Sequence, residues 1–401
     1  MMASSLEGQL AEKVREGRVP QGVIFAADRE GKLDYSHAVG KMSLEDGAAN
    51  VDLDAVFLLA SSTKLLTAIA ALQVVERGLI GLKDDVAALL PELAEQPVLR
   101  GFDGDDKPIL EDRKVPITLT HLLTHTAGTA YDLGDPNLLN LQSQRGRKPG
   151  TGPDVASHCA YPLIYQPGER WMYSSALDWA GLLVERLTNS TLEDYMRANI
   201  WEPLGITSMT FFPAQKPELQ ARVPVLSARG PDGKLSAYKG PFINDGSTGC
   251  FGGRGAYGSM RDYLKILRSL LANDGKLLSP ASLDELFAPR LTAQQVASHK
   301  AAALSPMGRM FIGEFDFEKY EHQWAFGGMV FVQGYEDGRR RAGTLSWGGM
   351  ANTFWAVDRE AGLALAFGTQ IIQPGDKGAG EAITVVEKGV YAMAGKERAS
   401  L

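Results

Sequence analysis

From Leu65 to Arg77 the chain is apolar on nearly every side of a helix, with no charge before Glu76 and Gly78 to close it. A helix without a polar face cannot lie on a surface, so the rest of the fold must be built around it. Immediately before it stands Leu58-Leu59-Ala60-Ser61-Ser62-Thr63-Lys64. Residues three apart share a helix face, so Ser61 and Lys64 can meet, whereas Ser62 points elsewhere. Burial strips water from an amine and favours its neutral, proton-accepting form. A serine nucleophile with its base therefore competes with a simple hydroxyl-rich cap and a lysine reaching for water. Four residues alone do not decide between them.

The chain has 401 residues and 44% hydrophobic content, enough for two layers or subdomains. A net charge of −7 offers no basic stripe to neutralise phosphates, which excludes a nucleic-acid partner. No apolar run reaches the roughly 20 residues of a membrane helix. The Met1 to Glu7 stretch lacks the apolar core of a secretory signal. Cys159 and Cys250 make no disulfide framework. The expected setting is cytoplasmic, with no membrane contact. The basic run Arg339-Arg340-Arg341, after Asp337-Gly338, is expected at a hairpin tip with its charges solvated.

Leu6, Leu10 and Val14 recur at helical spacing, predicting a helix over Leu6 to Arg15. Val23 to Ala27 and Leu33 to Val39 then form a hairpin across Asp28-Arg29-Glu30-Gly31-Lys32. A short helix is expected from Asp85 to Leu90, stopped by Pro91, followed by a charged excursion from Arg100 to Pro116. Thr118 to Gly128 reads as a capped helix. Its His121 and His125 have a zinc-site spacing, but Leu122 replaces the glutamate and no third ligand cluster follows, so neither a metal nor any other cofactor is expected. Thr129 to Gln166 is a long polar, glycine- and proline-rich loop that could wall a site. Helices follow at Leu177 to Thr188, Leu192 to Trp201, Met260 to Leu271 and from Ser279-Pro280. Strands follow at Gly328 to Gly334, Ala342 to Ser346, Thr353 to Asp358 and Leu363 to Thr369, with connections too short for crossovers. Glu381 to Met393 closes the chain as a helix. The fold class is α+β: an antiparallel sheet flanked by helices, built from residues 1–83 and 247–401. A mainly helical subdomain, 84–246, is inserted, with the site at their interface.

A serine nucleophile needs a proton shuttle, an oxyanion hole and a substrate wall. Tyr173, in the loop before a helix, can bring its hydroxyl to a neighbouring site and act with Lys64 as acid and base. A packed, satisfied tyrosine is the alternative. Paired glycines inside Ser346-Trp347-Gly348-Gly349-Met350 suggest a close backbone approach, and the amides of Met350 and Ser61 could together hold an oxyanion. Phe251-Gly252-Gly253-Arg254-Gly255 lacks the context of a phosphate loop and reads as a tight turn.

These features share an order. Ser61-x-x-Lys64, His121 to Gly128, Tyr173-Ser174-Ser175, Gly252-Gly253 and Trp347-Gly348-Gly349 follow one another as in the class C β-lactamase-fold superfamily. Within it the chain resembles the family VIII carboxylesterases and the fungal statin side-chain transesterases. The latter's Leu-Ala-Ser-x-Thr-Lys-Leu-Leu and Leu-Asp-Trp-Ala-Gly strings recur at Leu59 to Leu66 and Leu177 to Gly181. The resemblance implies a β-lactamase/transpeptidase-like fold, Ser61 as nucleophile, Lys64 and Tyr173 as the acid/base pair, and an oxyanion hole at Ser61 and Met350. Trp347 stands where β-lactamases and penicillin-binding proteins carry a cation for the substrate carboxylate, and Ser175 stands in place of the Tyr-x-Asn amide. Both departures favour neutral esters or thioesters. No Gly-x-Ser-x-Gly elbow is present, which argues against an α/β-hydrolase.

The expected activity is a serine carboxylester hydrolase acting through an acyl-Ser61 intermediate on a bulky apolar small-molecule ester of polyketide or statin type. Trp347, Gly348, Gly349, Tyr131, Ser175, Tyr257, Trp324 and Phe326 are its candidate substrate contacts, beside Trp171. The alternative is an acyltransferase or transesterase that takes an acyl group from a thioester or an acyl carrier protein and passes it to an alcohol. A β-lactamase or a non-catalytic binding module is the remaining reading.

Overall fold

The computed structural model describes residues 5–240, 246–305, 308 and 315–399, so Met1 to Ser4 of the N-terminal stretch lie outside it. Its centre is an antiparallel seven-stranded sheet in the order Asp34–Gly40, Gln21–Asp28, Leu363–Gly368, Phe354–Asp358, Leu345–Gly348, Met329–Phe331, His322–Trp324. The strand Leu363–Gly368 shows why the middle of this sheet lies inside. Leu363, Leu365 and Phe367 face one apolar layer and Ala364 and Ala366 the other, and all five are buried. One face is covered by Leu6–Arg15 and the closing helix Lys377–Ala399. The other face packs on Met260–Ala272 and shares its core with the apolar helix Thr63–Glu76, which is buried continuously from Thr63 to Val74.

Many of the expected helices and hairpins are present, and the differences have physical causes. Ser61 lies not in the long helix but in a tight turn, Ala60–Ser62, that leads into it. Pro91 does not stop a helix at Leu90. It begins one, Pro91–Ala94, because a proline at the first helical position gives up an N–H that has no intrahelical partner there. The charged excursion holds a hairpin, Val98–Phe102 with Pro108–Glu111, whose turn is tied by Asp103 accepting from the Asp105 and Lys107 amides. The Thr118-capped helix ends at Leu123, short of Gly128. Within the expected loop Thr129 to Gln166, Asp135 and Asp154 cap two further helices, Pro136–Gln144 and Val155–Cys159.

The basic run is the largest departure. Arg340 is not solvated but 5% exposed, and its Nε and Nη2 each donate to the buried Glu387 carboxylate of the closing helix at 2.5 Å. Arg339 Nη1 reaches the same carboxylate at 3.1 Å. The pair clamps the strand connection onto the closing helix.

Two buried histidines make stability acid-sensitive. Burial pulls His299 down to about 4 and, reinforced by the charges of His299 and Arg340, His322 down to about 3. Their folded pKa values lie below the unfolded value of about 6.5, so the unfolded chain takes up protons first as pH falls. Their contribution is complete above pH ~6.5 and is lost as pH falls toward those lower values. The expected result is a melting temperature that drops between pH 7 and 4, with a smaller drop in His299→Phe. Equal pH dependence of the two proteins would remove His299 from this account.

Candidate active site

The backbone is strained beside Ser61: Ala60, just before it, has φ 44°, a left-handed conformation that a β-carbon disfavours. The surrounding packing fixes it. Leu59 N–H donates to Ala256 O, Ser62 Oγ bonds Thr353 Oγ1, and Tyr263 OH donates to Ser62 O. Ser61 is left partly open to solvent at the start of the buried helix, with Lys64 fully buried beneath it.

Lys64 Nζ lies 3.2 Å from Ser61 Oγ, 2.7 Å from Gly253 O and 3.4 Å from Tyr131 OH. A carbonyl can only accept, so Gly253 O always claims one N–H. With a second contact toward Tyr131, the remaining tetrahedral position of the nitrogen faces Ser61. The same nitrogen lies 4.6 Å from the centroid of the Tyr173 ring. Tyr131, expected only as aromatic lining, thus belongs to the polar centre of the site. Burial, then the charges of Asp178 and Tyr173, push its hydroxyl well above the usual phenol range. Tyr131 therefore stays protonated and is no base.

Tyr173 OH accepts a hydrogen bond from the Trp347 indole N–H at 3.0 Å. Trp347 was expected as a wall, and the donor role is the part its sequence context did not reveal. An N–H aimed at a phenolic oxygen stabilises negative charge there. His125 holds the loop that carries Tyr173. Its Nδ1 accepts from Ser174 N at 3.3 Å, and its own left-handed backbone (φ 58°) turns the chain toward that loop. His121 Nδ1 accepts from Thr118 N, closing a capping box. Both histidines of the zinc-like spacing are thus engaged in structural bonds, and among the described residues no His, Cys, Asp and Glu cluster is arranged to hold a metal ion.

The paired glycines are explained by close approach. A β-carbon on Gly349 would lie 2.2 Å from Leu59 O, and one on Gly348 2.5 Å from Thr353 O. Only glycine lets this strand end come against the turn that carries Ser61. Gly349 N–H donates to Thr353 O, and the next amide, Met350 N–H, has no protein acceptor among the described residues. Gly348, Gly349 and Met350, with Ser61, Tyr131 and Tyr173, keep partial solvent contact.

The remaining candidate contacts separate. Tyr257 is nearly buried and packs with Met350 and Ala351. Trp324 is fully buried, donates to Leu123 O at 3.2 Å and meets Trp347 edge-on at 4.7 Å, so it supports the wall from behind. Trp171, also buried, lies 6.3 Å from the Tyr173 ring. Ser175 and Phe326 are held by other partners. Both are fully buried, Ser175 Oγ bonding Ala130 O and Phe326 lying under the Arg290 guanidinium. A short polar residue that starts a helix and an aromatic beside a glycine pair give no sequence sign of which side they face. Beside Trp347–Gly349 opens a cavity of about 80 Å³, walled by the apolar Phe315, Phe354 and Ile383 and by the polar Arg340, Asn352 and Asp376; Ser61, Lys64 and Tyr173 do not line it.

Trp347→Phe keeps an aromatic wall and removes the donor. Its expected effect is a fall in kcat of about tenfold or more, the worth of a hydrogen bond to a charged group, with KM changed less than about threefold. In a Tyr173→Phe background the same change is expected to cost almost nothing. A full loss in that background would show that Trp347 acts elsewhere.

Residues 8–388 match the family model described as Beta-lactamase. The chain is 40% identical to the lovastatin esterase of Penicillium rubens, over 90% of this chain and 91% of that one. It is 37% identical to the monacolin J acid methylbutanoyltransferase of Aspergillus terreus, over 90% and 89%. A mutant of the simvastatin synthase from Aspergillus terreus superposes with a TM-score of 0.91 at 34% identity, covering 98% of this chain and 95% of that one.

Proposed function

The chain belongs to the Beta-lactamase family, and on that footing we propose that it is a serine carboxylester hydrolase that cleaves bulky apolar esters of statin or polyketide type. The observation that carries this reading is Lys64 Nζ held 3.2 Å from Ser61 Oγ by Gly253 O, with Trp347 on Tyr173 where a carboxylate-binding cation would be needed for a β-lactam.

In the proposed reaction Ser61 Oγ attacks the ester carbonyl while Lys64 and Tyr173 take its proton. The carbonyl oxygen becomes an oxyanion against the Ser61 and Met350 amides. The C–O bond to the alcohol breaks as Tyr173 returns the proton to the leaving oxygen, and the acyl group stays on Ser61. Water, deprotonated by the same pair, then attacks the acyl carbon, and the bond to Ser61 Oγ breaks as that oxygen regains the proton and the acid leaves. We further propose that the work is divided between a sheet-bearing body, residues 1–83 and 247–401, and the insertion 84–246 that brings Tyr131 and Tyr173, and that the setting is cytoplasmic.

Transfer to an alcohol is the second reading, favoured by the 37% identity to a methylbutanoyltransferase. An acyl carrier protein would be its donor partner. The test offers the purified protein lovastatin alone, then a methylbutanoyl thioester with monacolin J acid. Hydrolysis of lovastatin, without transfer product exceeding hydrolysis at saturating acceptor, supports the hydrolase. Transfer in excess of hydrolysis replaces it with the transferase, and rapid opening of nitrocefin would overturn both.

A further inference from the structure

The strings Leu177-Asp178-Trp179-Ala180-Gly181 and Phe251-Gly252-Gly253-Arg254-Gly255 are distant in sequence and take no direct part in the chemistry above. The fold brings them together directly behind Lys64. Asp178, fully buried in the first turn of the helix Ala176–Thr188, accepts from Gly253 N–H through Oδ1 at 2.8 Å. Gly253 in turn offers its carbonyl to Lys64 at 2.7 Å, the shortest contact the amine makes.

Every part of this junction is tight. A β-carbon on Gly253 would lie 2.9 Å from the Asp178 carboxylate, and one on Gly252 2.8 Å from Leu177 O. A β-carbon on Gly181 would lie 3.2 Å from Gly252 Cα. Thr67, one turn along from Lys64, donates to Gly252 O at 2.7 Å, so the turn is held from both sides. The glycines are what allow the carboxylate this close.

A carboxylate is an expensive way to hold one amide. Asp178 Oδ2 is buried with no hydrogen-bond partner among the described residues, and burying an unmet charge opposes folding. Arg254, 6% exposed, acts on Asp178 only through space: its Nη2 lies 3.0 Å from His158 Nε2 and its guanidinium sits over the Phe251 ring. Such a cost is characteristic of a group retained for the site it serves.

We propose that Asp178 is a positioning residue for acyl transfer, fixing the Gly252-Gly253 turn so that the Gly253 carbonyl holds the Lys64 amine toward Ser61. This rests on the Ser61 reading above. Without Asp178 the turn relaxes, the carbonyl moves, and the amine loses its orientation, although no atom of Asp178 touches substrate.

The test is the rate of Ser61 acylation by p-nitrophenyl butanoate in a double-mutant cycle. Asp178→Ala is expected to slow acylation about 100-fold, the order of effect of a 1 Å misplacement, with half-saturation changed less than about threefold. Asp178→Asn, which keeps an acceptor for Gly253 N–H, is expected to recover to within about tenfold of the parent. In a Lys64→Ala background either substitution is expected to change the residual rate less than twofold, because the group being positioned is gone. A merely structural role would lower the residual rate further, by the same factor as in the parent, and that result overturns the proposal. Unchanged acylation in Asp178→Ala overturns it too. If the alanine protein gives no cooperative melt, the asparagine arm of the cycle decides on the same criterion. Failure of the parent protein to acylate at Ser61 would instead sink the reading on which this rests.

Discussion

Lys64→Ala is expected to lower kcat/KM by about 10³- to 10⁴-fold, the upper range for removal of a positioned acid/base group. Lys64 is fully buried, and its polar contacts are few. Gly253 O fixes its direction, Tyr131 OH takes a second N–H, and Ser61 Oγ lies at 3.2 Å. Alanine leaves Ser61 without a neighbouring base and leaves the Gly253 carbonyl buried and unmet. A melting curve is therefore needed beside the rate, since an unsatisfied buried acceptor costs about 1–3 kcal/mol of stability. If Lys64 and Tyr173 act on one proton, as proposed, most of the effect should appear in kcat. A loss confined to KM would mean that Lys64 binds substrate instead.

Tyr173→Phe is expected to cost about 10² to 10⁴ in kcat while leaving the fold intact, since the ring remains. The ring packs among His125, Trp324 and Trp347, with centroids 4.8, 5.8 and 5.4 Å away, and that packing needs no hydroxyl. Only the acceptor for the Trp347 N–H is lost. Tyr131 cannot substitute, because burial and the Asp178 charge keep its proton in place. Burst kinetics separate the steps. If Tyr173 returns the proton to the leaving alcohol, an activated p-nitrophenyl ester should suffer less than an alkyl ester, whose leaving group needs the proton. Equal losses on both would remove Tyr173 from the leaving-group role.

What the sequence reveals of this site depends on how locally each feature is encoded. The buried helix after Ser61 is legible because a charge-free run from Leu65 to Val75 admits one placement. Ser61 and Lys64 are legible because their spacing is a local property of helical chain. Paired glycines announce a close approach, although not that Leu59 O is the group approaching. Arg340 was misread as solvated because its partner, Glu387, is 47 residues away on another element. Trp347 shows its ring in sequence but not the hydroxyl it donates to, 174 residues distant. Tyr131 lies in a stretch with no periodic signal, and nothing local separates it from ordinary aromatic lining. Pro91 failed for a different reason: proline is equally at home after a helix and at its first position.

The central claim is that Ser61 carries the acyl group. The direct measurement is intact-protein mass and peptide mapping after quenching the enzyme during the burst with p-nitrophenyl butanoate. One butanoyl adduct on the peptide containing Ser61, absent from Ser61→Ala together with its turnover, is the predicted result. An adduct on another residue, or full turnover in Ser61→Ala, would contradict it.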